Sequence, residues 1–156
     1  MADNFYQNVN FHFRVNFTLS TAKSVDVKFQ SVTGLDSTID TETIREGGEN
    51  RFEHVIPTRR KYGPLILKRG LLGPDTSGVT AWLKKTFDDE VYQTLSTVDI
   101  FLLGETHNAI LQWTINNVWP RSWKIGELNA ERGEVLVETL ELSYNRLIFT
   151  EIKKPK

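Results

Sequence analysis

Phe11, Phe13, Val15, Phe17 and Leu19 alternate with His12, Arg14, Asn16 and Thr18. A period of two places these sets on opposite faces of a strand, one buried and one wet. A polar turn at Ser20–Ser24 follows. Val25, Val27 and Phe29 then alternate with Asp26, Lys28 and Gln30, which predicts a second half-buried strand and a hairpin. From Thr38 to Ile44, Thr and Ile are interleaved with acids, as in a strand with one solvated face. The adjacent Gly47 and Gly48 mark a chain reversal, because glycine takes positive φ at no side-chain cost. Phe52, Val55 and Ile56 lead into Pro57 and the basic cluster Arg59-Arg60-Lys61. Leu65 to Lys68 is expected as the return strand of a long charged hairpin.

Further along, Asp75, Thr76 and Ser77 offer side-chain acceptors for a first helical turn. Val79, Trp82, Leu83 and Phe87 then recur at helical spacing, with Lys84, Lys85, Asp88 and Asp89 on other faces. One amphipathic helix over about Ser77 to Tyr92 is predicted. Val98–Leu103 and Ile110–Asn116 form a second hairpin around the polar turn at Glu105–Asn108. Asn117 to Asn129 is expected to be irregular and aromatic. Gly133 to Phe149 is expected to be the longest extended run, with Leu136, Leu140, Leu142 and Tyr144 on one face and Glu138 as an exception among them.

These elements imply a mainly β chain: an antiparallel barrel or sandwich of about seven strands, one flanking helix over about 77–92, and an extended charged hairpin over about 40–65. Phe13, Phe17, Trp82, Leu83 and Phe87 are the expected packing residues between strand and helix. The 156 residues suit one domain, residues 1–156, with flexible ends at 1–8 and 150–156.

Composition narrows the function. A formal charge of −1 gives no general electrostatic case for nucleic acid or an anionic membrane. The absence of cysteine excludes disulfides, thiolate nucleophiles and Cys-ligated metals. Met1–Asn10 lacks a basic n-region and an apolar h-region, so no secretion signal is expected and synthesis in the cytoplasm is. No apolar run reaches the roughly 18 residues of a membrane span, so no anchor is expected.

Catalytic chemistry finds little footing. His12, His54 and His107 have no partner at i,i+2 or i,i+4. Glu42, Glu46, Glu49 and Glu53 interleave with Thr, Arg and Asn on an exposed hairpin, whereas paired catalytic carboxylates need a pocket that raises one pKa. Gly47-Gly48 lacks the spacing of a phosphate loop. No catalytic residue, metal ligand or cofactor is expected. The acids of the hairpin and its bases at Arg59–Lys61 read instead as an intermolecular surface.

The order of motifs carries more than any one of them. Ser31-Val32-Thr33-Gly34-Leu35-Asp36 is followed by Arg45-Glu46-Gly47-Gly48-Glu49-Asn50, then by Lys61-Tyr62-Gly63 and Leu67-Lys68-Arg69-Gly70. The Asp75–Trp82 helix comes next, then Asn116-Asn117-Val118-Trp119-Pro120 with Trp123, Leu128-Asn129-Ala130, and Glu138-Thr139-Leu140-Glu141-Leu142. The series, over about residues 8 to 149, resembles the tail tube proteins of contractile phage tails and of phage-tail-like extracellular injection systems. It departs from that pattern at Pro57-Thr58-Arg59-Arg60, at Pro64 and in the basic tail Lys153–Lys156.

The resemblance implies a structural protomer of hexameric rings, each subunit adding strands to an inner barrel. Such rings stack into a hollow tube inside a contractile sheath on a baseplate, with effector cargo in the lumen. It implies a final location in an extracellular or cell-associated tail-like particle or a virion tail. Glu42, Arg45, Glu46, Gly47, Gly48, Glu49, Asn50, Arg59, Arg60 and Lys61 are then the expected contacts between rings or subunits. A tube-initiating or tube-terminating paralogue is the alternative within the family. A monomeric ligand-binding barrel, with Trp119 and Trp123 at its mouth, is the alternative outside it.

Overall fold

The computed structural model describes residues 12–19, 22–45, 47–48, 51–91 and 95–152. Its strands are β1 (Phe13–Leu19), β2 (Ala22–Val27), β3 (Ser31–Thr33), β4 (Ser37–Ile44), β5 (His54–Tyr62) and β6 (Leu65–Gly70), then β7 (Leu95–Leu103), β8 (Ala109–Ile125), β9 (Val137–Ser143) and β10 (Arg146–Glu151), with one helix, α1 (Gly78–Phe87), between β6 and β7. Every pairing is antiparallel. Eight strands form one sheet in the order β2-β1-β7-β8-β9-β6-β3, with β10 also on β8, and β4 and β5 pair only with each other. The mainly β, antiparallel, one-helix class expected from periodicity is what the chain adopts.

The sheet turns at β8, the longest strand, with 17 residues. Its first half lies between β7 and β10, and beyond Val118 it keeps only β9. At the changeover Asn117 has φ 53°, a left-handed conformation that Asn tolerates better than most residues. Across from it β9 gives way to β10, where the Asn145 amide donates to the Asn116 carbonyl at 3.1 Å. The supposed single run Gly133–Phe149 is therefore two strands with a break at Tyr144–Asn145, preceded by irregular chain through Leu136. Conversely, Asn117–Ile125 is strand, not irregular chain. Pro120 fits because it sits at a register shift where β8 has a single neighbour, so its missing N–H removes little.

One core joins both halves of the sheet. Val15 and Phe17, Val98 and Ile100, and Ile115 and Val118 meet Leu65, Leu67, Leu140 and Leu142, and α1 closes the cluster with Val79, Trp82 and Leu83. Phe13 packs against its rim. Ser77 caps α1, its hydroxyl accepting from the Thr80 amide. The helix stops at Phe87, short of the expected Tyr92, which lies outside the described residues. The acids Asp88, Asp89 and Glu90 follow at its C-terminal end, where negative charge opposes the helix dipole. Phe87, expected in the core, is 41% exposed and stacks on Trp123 instead.

Candidate assembly surface

Two charged regions differ in burial: one lies between β6 and β9, the other on the β4–β5 hairpin. The inner one is built on strand periodicity. Arg69 continues the inward row Leu65, Leu67 of β6, and Glu138 precedes the inward row Leu140, Leu142 of β9. Register sets Arg69 directly across from Glu138. Both are almost wholly buried, at 3% and 1% exposure. Arg69 Nε donates to Glu138 Oε1. Its Nη1 donates to Ser77 Oγ at 3.0 Å and its Nη2 to Thr80 Oγ1 at 2.7 Å. Trp123 Nε1 donates to the second carboxylate oxygen at 2.7 Å, and the guanidinium lies over the Phe29 ring at 5.4 Å.

A buried charge is tolerated only when paired and hydrogen-bonded, and here β6, β8, β9 and the first turn of α1 share the task. The network fixes the helix on the sheet. Glu138, the exception on its face of the run, is thus the buried partner of Arg69. The readable signal was two opposite charges at inward positions of neighbouring strands.

The outer region is the hairpin β4–β5. Its return strand is β5, which contains Arg59, Arg60 and Lys61. Leu65–Lys68, expected to fill that role, lies in β6 of the main sheet instead. At the root, Gly34 has φ +89°, and a Cβ there would lie 2.0 Å from the Pro64 carbonyl oxygen. Only glycine allows this approach. The Tyr144 hydroxyl donates to the Gly34 carbonyl at 3.4 Å, and the Tyr144 and Tyr62 rings lie 5.4 Å apart. Burial pushes the Tyr144 pKa up, with the Asp36 charge and Tyr62 adding to it.

Beyond the root the ribbon is bare. Along β4 and β5 only Asp40 and Tyr62 are partly covered. Gly47 and Gly48 form the turn, with Gly48 at φ +100°; Glu46, Glu49 and Asn50 lie outside the described residues. Arg45 pairs with Glu53 at 2.7 Å and Lys61 with Asp40 at 2.5 Å, so part of the hairpin's charge is met within the hairpin. Glu42, Arg59 and Arg60 are exposed, and no ion pair holds them among the described residues.

Register gives the ribbon two apolar faces. Ile39, Pro57 and Val55 lie on one, and Ile44 and Ile56 on the other. Ile39 and Val55 are 55% and 61% exposed. Phe52, near the tip, meets the His54 ring edge-on at 5.2 Å. Sequence reading named Phe52, Val55 and Ile56 but did not join them to Ile39 and Ile44 as faces, because that needs the register of β4 on β5.

Elsewhere, His12 and His107 approach each other at 5.1 Å, far in the sequence from His54. Among the described residues no three His, Asp or Glu side chains form a metal-binding group, and no helix is long and apolar enough to cross a membrane. Two surface clefts, of about 290 and 340 Å³, are lined by 126–137 and by the outer face of β3-β6-β9-β8. Neither involves Trp119 or Trp123.

A bare ribbon held by its own two strands and a root of aromatic contacts is the geometry of an arm. The family model of the T4-like virus tail tube protein gp19 matches residues 9–148. The chain belongs to this tail tube family. Among solved structures, a chain in the cryo-EM structure of the anti-feeding prophage baseplate, 6-fold symmetrised, is similar at 31% identity and TM-score 0.87, over 96% of this chain and 99% of that one.

A chain in the extended sheath-tube complex of an extracellular contractile injection system, PVC, gives 20% identity and TM-score 0.79 over 96% and 95%. A chain in the anti-feeding prophage tube terminating cap gives 23% and 0.77 over 97% and 100%. At these last two identities the likeness speaks for the tail tube fold. Comparison with curated protein sequences found no match. The family is a structural one, of phage tail and tail-like particle components.

Proposed function

We propose that the chain is a non-enzymatic protomer of the inner tube of a contractile injection system or phage tail. It forms hexameric rings that stack into a hollow tube, inside a sheath and on a baseplate, with cargo passing through the lumen. The observation that carries this is the family match over residues 9–148, on a chain whose β4–β5 arm is apolar and bare on both faces. A two-stranded ribbon is marginal by itself, and clustered exposed apolar side chains mark an interaction site. Contacts between rings or subunits run through Glu42, Arg45, Gly47, Gly48, Arg59, Arg60 and Lys61 on the arm, together with Glu46, Glu49 and Asn50 of the same sequence stretch. The protein is made and assembled in the cytoplasm and ends in an extracellular particle or a virion tail.

A second reading, the tube-initiating ring at the baseplate, is favoured by the greater likeness to a chain of the baseplate structure than to one of the sheath-tube complex. Negative-stain imaging of the purified protein at rising concentration separates the readings. Tubes that lengthen with concentration support the shaft protomer. Rings or short stacks that stop growing support the initiator. A monomer throughout would contradict both.

A further inference from the structure

The arm and a second apolar surface lie at opposite ends of the same strands. Root residues Gly34, Tyr62 and Pro64 sit where β6 begins and β9 ends, since Leu65 pairs with Leu142. Gly70 pairs with Val137 and Ile125 with Glu138, so the far end of these strands carries Leu71, Ile125 and the loop 126–136. Leu71 N donates to the Leu136 carbonyl at 2.8 Å and Gly126 N to the Val137 carbonyl at 2.9 Å, tying that end together. Strands of six or seven residues separate the two ends by about 17–20 Å.

Leu128 and Val135 at this far end are 81% and 73% exposed, the barest large apolar side chains of the described chain, and they flank the 290 Å³ cleft. Charge there is of the opposite sense to the arm's unpaired bases. Glu127, Glu131 and Glu134 stand against the single base Arg132, all exposed, whereas Arg59 and Arg60 on the arm have no acid partner among the described residues. Two different surfaces that are complementary in kind and set at opposite ends of one molecule make a heterologous, head-to-tail contact, which generates rings or stacks. An arm-to-arm contact would offer Arg59 and Arg60 only the acids of another arm, of which Glu42 alone is described, exposed and unpaired.

We propose that the loop end, with Leu128 and Val135 at its centre and Glu127 and Glu134 beside them, is the seat for the β4–β5 arm of a second copy. The arm inserts its bare apolar faces along the cleft, and Arg59 and Arg60 meet the acids of the rim. Each protomer therefore gives an arm at one end and receives one at the other. This rests on the reading that the chain self-assembles, and names the receiving surface.

The cysteine-free sequence allows a direct test on the full chain. Val55→Cys or Ile56→Cys, one on each face of the arm, is combined with Leu128→Cys or Val135→Cys. The assembled protein is treated with a short bismaleimide and run on a denaturing gel. All four positions are exposed, and a melt matching the parent confirms the fold. A ladder of multimers from arm-plus-seat variants, with no multimers from either single variant, is the expected result. Dimers from an arm variant alone would mean a symmetric contact and overturn the proposal. So would intact rings or tubes with no arm-to-seat product, while leaving the tube reading in place. A parent protein that never assembles would remove that reading, and the seat with it.

Discussion

Arg69–Glu138 and the pairs Arg45–Glu53 and Lys61–Asp40 are the same chemistry in two settings. The first is buried to 3% and 2% side-chain exposure. The hairpin pairs stand at 83% and 48%, and at 67% and 40%. Desolvation makes the inner pair costly to break, because the surviving charge is stranded away from water. Solvent screens the outer pairs to almost nothing as far as folding goes. Charge near the helix therefore serves the fold, while charge and apolar surface on the arm contribute little to the monomer. The arm's cost in exposed apolar area makes sense when a neighbour covers it.

The largest expected effect is at the inner pair. Glu138→Ala leaves Arg69 buried without its carboxylate and takes a partner from Trp123, and the expected loss is roughly 3–5 kcal/mol in denaturant unfolding. A loss under about 1 kcal/mol would put this pair in the same class as the arm's. Arg69→Met combined with Glu138→Leu should cost far less than the sum of the single changes, since no charge is stranded. Trp82→Ala, which empties a buried site on α1, should cost a similar 3–5 kcal/mol. An unchanged melt would show that the helix does not bury this face.

On the arm the expected effect on folding is small. Arg45→Ala, which removes the Arg45–Glu53 pair, should change folding stability by no more than about 1 kcal/mol, read from the same unfolding curves. Ile44→Ser with Ile56→Ser should likewise leave the melt near the parent's while abolishing rings or tubes. The smallest effect lies at the root. Because burial raises the Tyr144 pKa, its contribution is full below the ordinary tyrosine value near 10 and is lost as pH rises through the higher folded value. Melting temperature should fall more steeply above pH 10 in the parent than in Tyr144→Phe; parallel curves would assign the loss to other groups.

Much of this fold was legible because period two and period 3.6 are set by backbone geometry. β1, the turn between β7 and β8, the Gly47-Gly48 reversal and the position of α1 follow from residue pattern alone. What stayed hidden depends on tertiary context. Pro120 signals a break locally, yet β8 runs through it because that part of the strand has one neighbour. Tyr144 and Asn145 look extended, and they mark the switch between strands only because β8 kinks opposite them at Asn117.

The candidate assembly surface was half legible. The tip and the bases of β5 stood out by charge, whereas the pairing of Lys61 with Asp40 across a register shift could not be counted without knowing which strand returned. Ile39 with Val55, and Ile44 with Ile56, become faces only once β4 and β5 are aligned. The ordered motifs from Ser31 to Leu142 carried the family, since sequence order survives even where individual strands are misplaced.

The proposed assembly runs through an arm that the chain's own fold does not need. Imaging by negative stain, with a thermal melt on the same samples, tests it with the parent and the Ile44→Ser/Ile56→Ser variant side by side. Rings or tubes are expected from the parent, isolated subunits from the variant, and superimposable melts from both. A parent that stays monomeric at high concentration, or a variant that assembles as the parent does, would contradict it.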